Sequence, residues 1–230
     1  MNNEAALEFS RPQPSVPIAG SNKRFAVHRI YCVGRNYADH AREMGMSDRE
    51  PPFFFSKPAD AIVTERDSIP FPSRTADLHH EVELVVALGK DARDITVADA
   101  NQCIYGYAVG IDFTRRDLQA AAKKDGRPWD VAKGFDNSAP VSALQPLAVT
   151  GVLESASLSL KVNGSLRQNG DIKDMIWKVP EVIAELSTYY QLRAGDLIFT
   201  GTPAGVGAVK AGDLLEGAVA NVGSLTIKLG

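Results

Sequence analysis

At 230 residues, with 44% hydrophobic and 23% charged residues, the chain has the texture of a folded domain with one full hydrophobic core or at most two small ones. Its net charge of −3 asks for no nucleic-acid or anionic-membrane partner, although a local basic site can still take an acidic small molecule. No apolar run approaches the ~18 residues of a membrane span. The first twenty residues lack a basic segment followed by an apolar one, so no secretory leader is expected and a cytoplasmic setting is the default.

Residues 1–24 read as an extended arm, with Pro12, Pro14 and Pro17 among polar neighbours. From residue 25 no break rich in Pro, Gly and Ser divides the chain, so 25–230 is expected to be a single domain. A strand is expected over 29–33, then a short helix over 37–44. In that helix His40 and Glu43 stand at i and i+3, so the carboxylate can orient the imidazole and help it deprotonate a water; a surface pair supporting a short helix is the other reading. Strands follow at 53–55, 82–88 and 105–111, a helix over 114–124, and a long loop over 125–141. A strand over 158–162 leads into an Asn163-Gly164 hairpin turn. A helix over 180–189 puts Ile183, Leu186 and Tyr190 on one apolar face, and strands over 196–200 and 225–229 complete the chain. Cys32 and Cys103, the two cysteines, read as buried free thiols on strands. The sum is a β-rich α+β fold without the regular strand–helix alternation of a doubly wound sheet.

The sharpest chemical feature is Leu78-His79-His80-Glu81-Val82-Glu83-Leu84-Val85-Val86. Side chains two apart on a strand share a face, so Glu81 and Glu83 point the same way while Val82, Leu84 and Val86 fill the other. Two adjacent carboxylates repel and resist burial, and a cation between them relieves both problems. An exposed or Arg/Lys-paired strand end would also accommodate them, and a glycosidase-type acid pair needs a wider separation. The strand Tyr105-Gly106-Tyr107-Ala108-Val109-Gly110-Ile111-Asp112 carries a bare Gly/Ala/Gly face, open to another backbone or a ligand, with Asp112 at its end. Three oxygen ligands leave about three octahedral positions for water and substrate, which suits Mg2+ or Mn2+. The lack of thiols and of a helical His pair argues against zinc. Arg115, Arg116 and Gln119 follow on the next helix and Lys133 in the loop beyond, groups suited to an anionic ligand. The Gly-rich turn Thr200-Gly201-Thr202-Pro203-Ala204-Gly205-Val206-Gly207 offers backbone N–H groups but lacks the ending of a phosphate loop.

Seven segments in order, YCVGRNYADHAREMG, FFFSKPADAIV, LHHEVELVVALGK, GYAVGIDFTRRDLQ, KKDGRPWDVAKGFDNSAPV, KVNGSLRQ and GDLIFTGTPAGVG, resemble the fumarylacetoacetate hydrolase family, its short acylpyruvase-like members above all. The resemblance runs from about residue 29 to the C-terminus and leaves the N-terminal arm outside. It implies a β-rich core of rolled mixed sheets, a homodimer, and Mg2+ or Mn2+ on Glu81, Glu83 and Asp112. It implies a His40–Glu43 dyad on a lid helix, with Gln119 and Lys133 as further catalytic groups and Thr202 at the substrate. Arg35 and Lys57 fall on matching motif positions and, with Arg116, are candidate substrate-binding residues. The implied reaction is hydrolysis of the C–C bond of an acylpyruvate. Fumarylpyruvate, the ring-opened product of gentisate breakdown, is the favoured substrate, on overall resemblance to bacterial members. Oxaloacetate decarboxylation, a 2-oxo acid tautomerase or isomerase activity, and a catalytically silent binding protein are the alternatives.

Overall fold

The computed structural model describes residues 8–37, 50–64 and 68–230. Its centre is a mixed six-stranded sheet in the order Gln145–Pro146, Ile104–Ile111, Val82–Leu88, Leu197–Phe199, Ile30–Gly34 and Phe53–Lys57. Leu197–Phe199 runs parallel to Ile30–Gly34 and antiparallel to Val82–Leu88. A five-stranded sheet, Ser165–Asp171, Ser157–Val162, Leu214–Val219, Gly223–Leu229 and Ser68–Ile69, covers one face. Short helices fill the gaps, and the fold is the β-rich α+β architecture expected.

Strand periodicity explains why the chain closes this way. Every residue of Val82–Leu88 is buried, but alternate side chains enter different cores. Val82, Leu84 and Val86 meet Leu158, Leu160, Leu215 and Ile227 between the two sheets. Val85 and Ala87 face the other way, with Ala108, Phe199 and Cys32. The N-terminal residues help cover this second core. Ser15–Pro17 pairs with Arg24–Ala26 as a two-stranded ribbon, and Val16 is fully buried there beside Phe25 and Val27. Both thiols are free and buried.

The Gly/Ala/Gly face serves packing. A β-carbon at Gly106 would lie 2.3 Å from the Gln145 carbonyl oxygen, and one at Gly110 would lie 2.6 Å from the Phe199 ring. Close strand and side-chain approach uses that face, and the ligand-facing chemistry begins only at Asp112. The 114–124 helix starts later, at Arg116, because Thr114–Arg115 pairs with Leu78–His80. It stops at Gly126, which takes the left-handed conformation. The stretch expected as a loop over 125–141 contains a helical turn, Asp130–Lys133, and a two-residue strand, Ala139–Pro140, parallel to Ile62–Val63. Asn163 and Gly164 both have positive φ, 52° and 76°, as a two-residue hairpin turn requires. Among the described residues no helix is long and apolar enough to cross a membrane.

Candidate metal and substrate site

Antiparallel register assembles the three carboxylates. Val82 pairs with Ile111 and Glu83 with Gly110, and the Asp112 N–H donates to the Glu81 carbonyl at 2.8 Å. Glu81 and Asp112 are therefore opposite one another, with Glu83 two positions along on the same face. Their ligand oxygens all lie within 4.8 Å of one another. All three residues are buried.

Such a cluster survives only because cations and N–H groups surround it. Lys133 Nζ reaches Glu81 Oε2 at 2.7 Å and Asp112 Oδ2 at 2.6 Å. Arg116 Nη2 reaches Glu81 Oε1 at 2.5 Å, and the Gly201 N–H donates to Glu83 Oε2 at 2.6 Å. Gly201 has φ +97°, and a β-carbon there would sit 2.8 Å from Asn36, so glycine is required for the turn that delivers this donor. The two glutamates end in opposite electrostatic states. Burial favours the neutral form of both, but Lys133 and Arg116 hold the Glu81 carboxyl well below the usual range. Glu83 makes no ion pair among the described residues, and burial with the charges of Asp112 and Glu81 outweighs the pull of Lys133 and the Gly201 N–H and pushes its carboxyl well up. Burial works against the Lys133 ammonium, yet Asp112 and Glu81 raise it above the ordinary lysine value.

These residues fit a hard divalent cation. The donors are all carboxylate oxygens, as Mg2+ and Mn2+ prefer, and burial beside Asp112 and Glu81 drives Glu83 toward protonation, an effect that a bound cation would oppose. Asp112 Oδ1 lies 2.7 Å from Lys57 Nζ but accepts no hydrogen bond of good geometry among the described residues.

The other expected site residues divide. Arg35, Arg116, Gln119, Lys133 and Thr202 line the pocket that holds the three carboxylates. Gln119 Oε1 accepts from Arg116 Nη1 at 2.6 Å, which turns its amide NH2 to the end able to meet a ligand oxygen. Lys57 does not line the pocket. Its side chain is fully buried behind Asp112, and its ammonium also donates to the Phe113 and Lys133 carbonyls. Lys57, a candidate substrate contact, is thus placed behind the site, with its ammonium facing Asp112 and holding the Lys133 turn. Thr202 is constrained likewise. Its hydroxyl donates to the Val82 carbonyl at 2.7 Å and accepts from Gln168 Nε2 at 2.8 Å, so any grip on a carboxylate passes through the main chain. His40 and Glu43 lie outside the described residues.

Three features had escaped the sequence reading. Gln168 ties the site together, accepting from the Val82 N–H and donating to Thr202 and the Pro203 carbonyl. That fixes its orientation, so His80, whose Nδ1 is 2.9 Å from Gln168 Oε1, donates from Nδ1; burial lowers its pKa and favours this neutral form. Phe53 and Trp129 meet edge-to-face in the pocket wall, ring centroids 5.2 Å apart. Lys123 lines the same pocket. The helical spacing of 116, 119 and 123 was a usable signal for it; nothing in the sequence singled out Gln168.

The family described as "Fumarylacetoacetate (FAA) hydrolase C-terminal" matches residues 29–229. The chain is 45% identical over 192 residues to oxaloacetate tautomerase YcgM of Escherichia coli (strain K12), covering 83% of this chain and 88% of that protein. It is 42% identical to a fumarylpyruvate hydrolase of a Ralstonia species, covering 79% of this chain and 94% of that protein. Its structure is similar to that of a fumarylpyruvate hydrolase from Pseudomonas aeruginosa solved with Mn2+ and pyruvate. The TM-score is 0.95 and the identity 48%, covering 97% of this chain and 99% of that one.

Proposed function

The chain belongs to the fumarylacetoacetate hydrolase family, and on that premise we propose that it is a divalent-metal-dependent hydrolase that splits the C–C bond of an acylpyruvate, fumarylpyruvate first, into pyruvate and fumarate. The observation that carries this reading is the burial of three carboxylates within 4.8 Å of one another, beside Lys133 and Gln119 in one pocket. The Pseudomonas relative, 48% identical, binds Mn2+ and pyruvate, and pyruvate is one product of this reaction.

Glu81, Glu83 and Asp112 would hold the ion, Mg2+ or Mn2+, which when bound supplies the Lewis acidity that stabilises negative charge on the departing pyruvate enolate. Lys133 bridges the Glu81 and Asp112 carboxylates and offsets their repulsion. Its charge and the Gln119 amide would stabilise the oxyanion formed when water adds to the distal carbonyl. Main-chain groups at 201–202 would meet the substrate carboxylate. His40, oriented by Glu43, would take the proton from the attacking water. The C–C bond then breaks, its electrons pass to the pyruvate fragment, and that carbon is reprotonated.

A second reading comes from the E. coli tautomerase at 45% identity. The same site could move a proton on oxaloacetate through an enolate, with no attacking water. Steady-state kinetics with Mn2+ separates the two. The hydrolase reading expects kcat/KM for fumarylpyruvate to exceed those for acetylpyruvate hydrolysis and for oxaloacetate tautomerisation or decarboxylation. A dominant rate on oxaloacetate would overturn it.

A further inference from the structure

Arg35 has a backbone φ of +60°, which costs a non-glycine residue about 1–3 kcal/mol and points to a constraint worth explaining. The next residue supplies the anchor. Asn36 is buried and bonds the Trp177 backbone through both ends of its amide and the Thr200 carbonyl through Nδ2. The side chain of Arg35 lines the pocket of the three carboxylates, yet its Nε is buried and has no hydrogen-bond partner among the described residues. A buried unmatched donor on a cation is costly, and a ligand anion would satisfy it.

Arg35 belongs to a continuous wall. Its guanidinium carbon stands 5.3 Å from the Phe53 ring centroid. Phe53 meets Trp129 edge-to-face, and Lys123 Nζ stands 5.0 Å from the Trp129 centroid. Two cations thus flank a pair of aromatic rings, and neither is committed to a metal-site carboxylate, unlike Arg116 and Lys133. Burial lowers the pKa of the Lys123 ammonium, and the charges of Arg116 and Arg35 lower it further; an anion among them would relieve both effects. Among the described residues, four cationic side chains line the pocket against three carboxylates. With a divalent ion added these residues are net positive, which favours an anionic ligand.

Resting on the proposed acylpyruvate activity, we infer that Arg35 and Lys123 form a clamp for a second, distal carboxylate, carried on the Phe53–Trp129 wall, and make the enzyme selective for dicarboxylic acylpyruvates. The flat rings bound the carbon chain between the two ends. The 2-oxo acid end takes the carboxylate cluster, and the far end takes the Arg35 fork, whose planar N–H groups suit a carboxylate.

The test is calorimetric binding to the Mn2+-loaded protein of 2-oxoheptanedioate and 2-oxoheptanoate. They have equal chain length and differ by the distal carboxylate. Neither has a 4-oxo group, so neither can be hydrolysed. The wild type is expected to bind the diacid at least about tenfold more tightly, as a charge-assisted contact warrants. Arg35→Gln and, separately, Lys123→Gln should each cut that ratio severalfold, with Arg35→Lys retaining more of it than Arg35→Gln. Because the reading is a ratio, general damage to the site moves both ligands and leaves the ratio intact, which counts against the clamp. A wild type without diacid preference, or glutamine variants that keep it, would overturn the inference. A wild type that prefers the diacid yet hydrolyses no acylpyruvate would overturn the proposed reaction and leave the clamp standing.

Discussion

Replacing Glu81 and Glu83 one at a time by glutamine separates two side chains that the sequence places two residues apart. Glu81 is ionised and tied to two cations, Lys133 at 2.7 Å and Arg116 at 2.5 Å. Glu81→Gln removes the charge that balances them, and breaking a buried pair from one side costs about 3–5 kcal/mol. For a chain of this length that is a fall in melting temperature of roughly 10 °C. Glu83 is different, because burial, Asp112 and Glu81 drive it toward the neutral acid when no metal is bound. Glu83→Gln is then close to isosteric and isoelectronic, the Gly201 N–H keeps an acceptor, and the metal-free protein should lose under about 1 kcal/mol. The sign of the pH dependence follows. With its folded pKa raised, Glu83 binds more protons folded than unfolded between the ordinary carboxylate value and its raised one. Metal-free stability should therefore decline as pH rises through that window, and Glu83→Gln should flatten the decline. Glu81, with its folded pKa depressed, contributes stability above the ordinary value and loses it as pH falls. The assay is thermal unfolding in chelator across pH, followed by Mn2+ titration. Both variants should lose Mn2+ affinity by more than the roughly 10–100-fold typical of changing a group that hydrogen-bonds a metal ligand. Equal destabilisation of the two metal-free variants would refute this reasoning.

Other outcomes follow from the same geometry. Lys57→Met should cost about 3–5 kcal/mol of stability by urea denaturation, since it removes the cation facing buried Asp112 and the donor to two carbonyls; intact stability with a raised KM would instead place Lys57 at the substrate. Gly110→Ala places a methyl 2.5 Å from Val85 and 2.6 Å from Phe199, so denaturation should show a loss of about 1–3 kcal/mol. His40→Ala should abolish acylpyruvate hydrolysis while Mn2+ still binds by calorimetry, and normal turnover would remove the dyad from the mechanism.

The carboxylate site was legible because its parts follow local rules. Strand alternation put Glu81 and Glu83 on one face, and the strand ending at Asp112 was recognisable by its β-branched and aromatic residues. What alternation could not reveal was register, which places Asp112 across from Glu81, and the partners that come from afar. Lys133 sits in a stretch that reads as loop, yet a single helical turn, Asp130–Lys133, carries it. One turn is too short to leave a periodic signal. Lys57 belongs to a strand that runs two residues beyond the aromatic Phe53-Phe54-Phe55 run, and only the closed fold shows that its ammonium lies behind Asp112. Ser165–Asp171, the return strand implied by the Asn163-Gly164 hairpin, is an edge strand, mostly exposed, so it lacks an apolar stripe. Gln168, on that strand, consequently gave no sign of joining Val82 to Thr202. The Gly106/Gly110 face left two readings open, another backbone or a ligand, and at Gly106 it is the backbone of Gln145 that approaches.

The central claim is that Glu81, Glu83 and Asp112 together bind one divalent ion, and crystals soaked in Mn2+ test it most directly through anomalous scattering at the manganese edge. The account predicts one strong peak within about 2.5 Å of a carboxylate oxygen from each of the three residues, lost in Glu83→Gln crystals. A peak elsewhere, or no peak beside a Lys133 that still bridges Glu81 and Asp112 at saturating Mn2+, would contradict it.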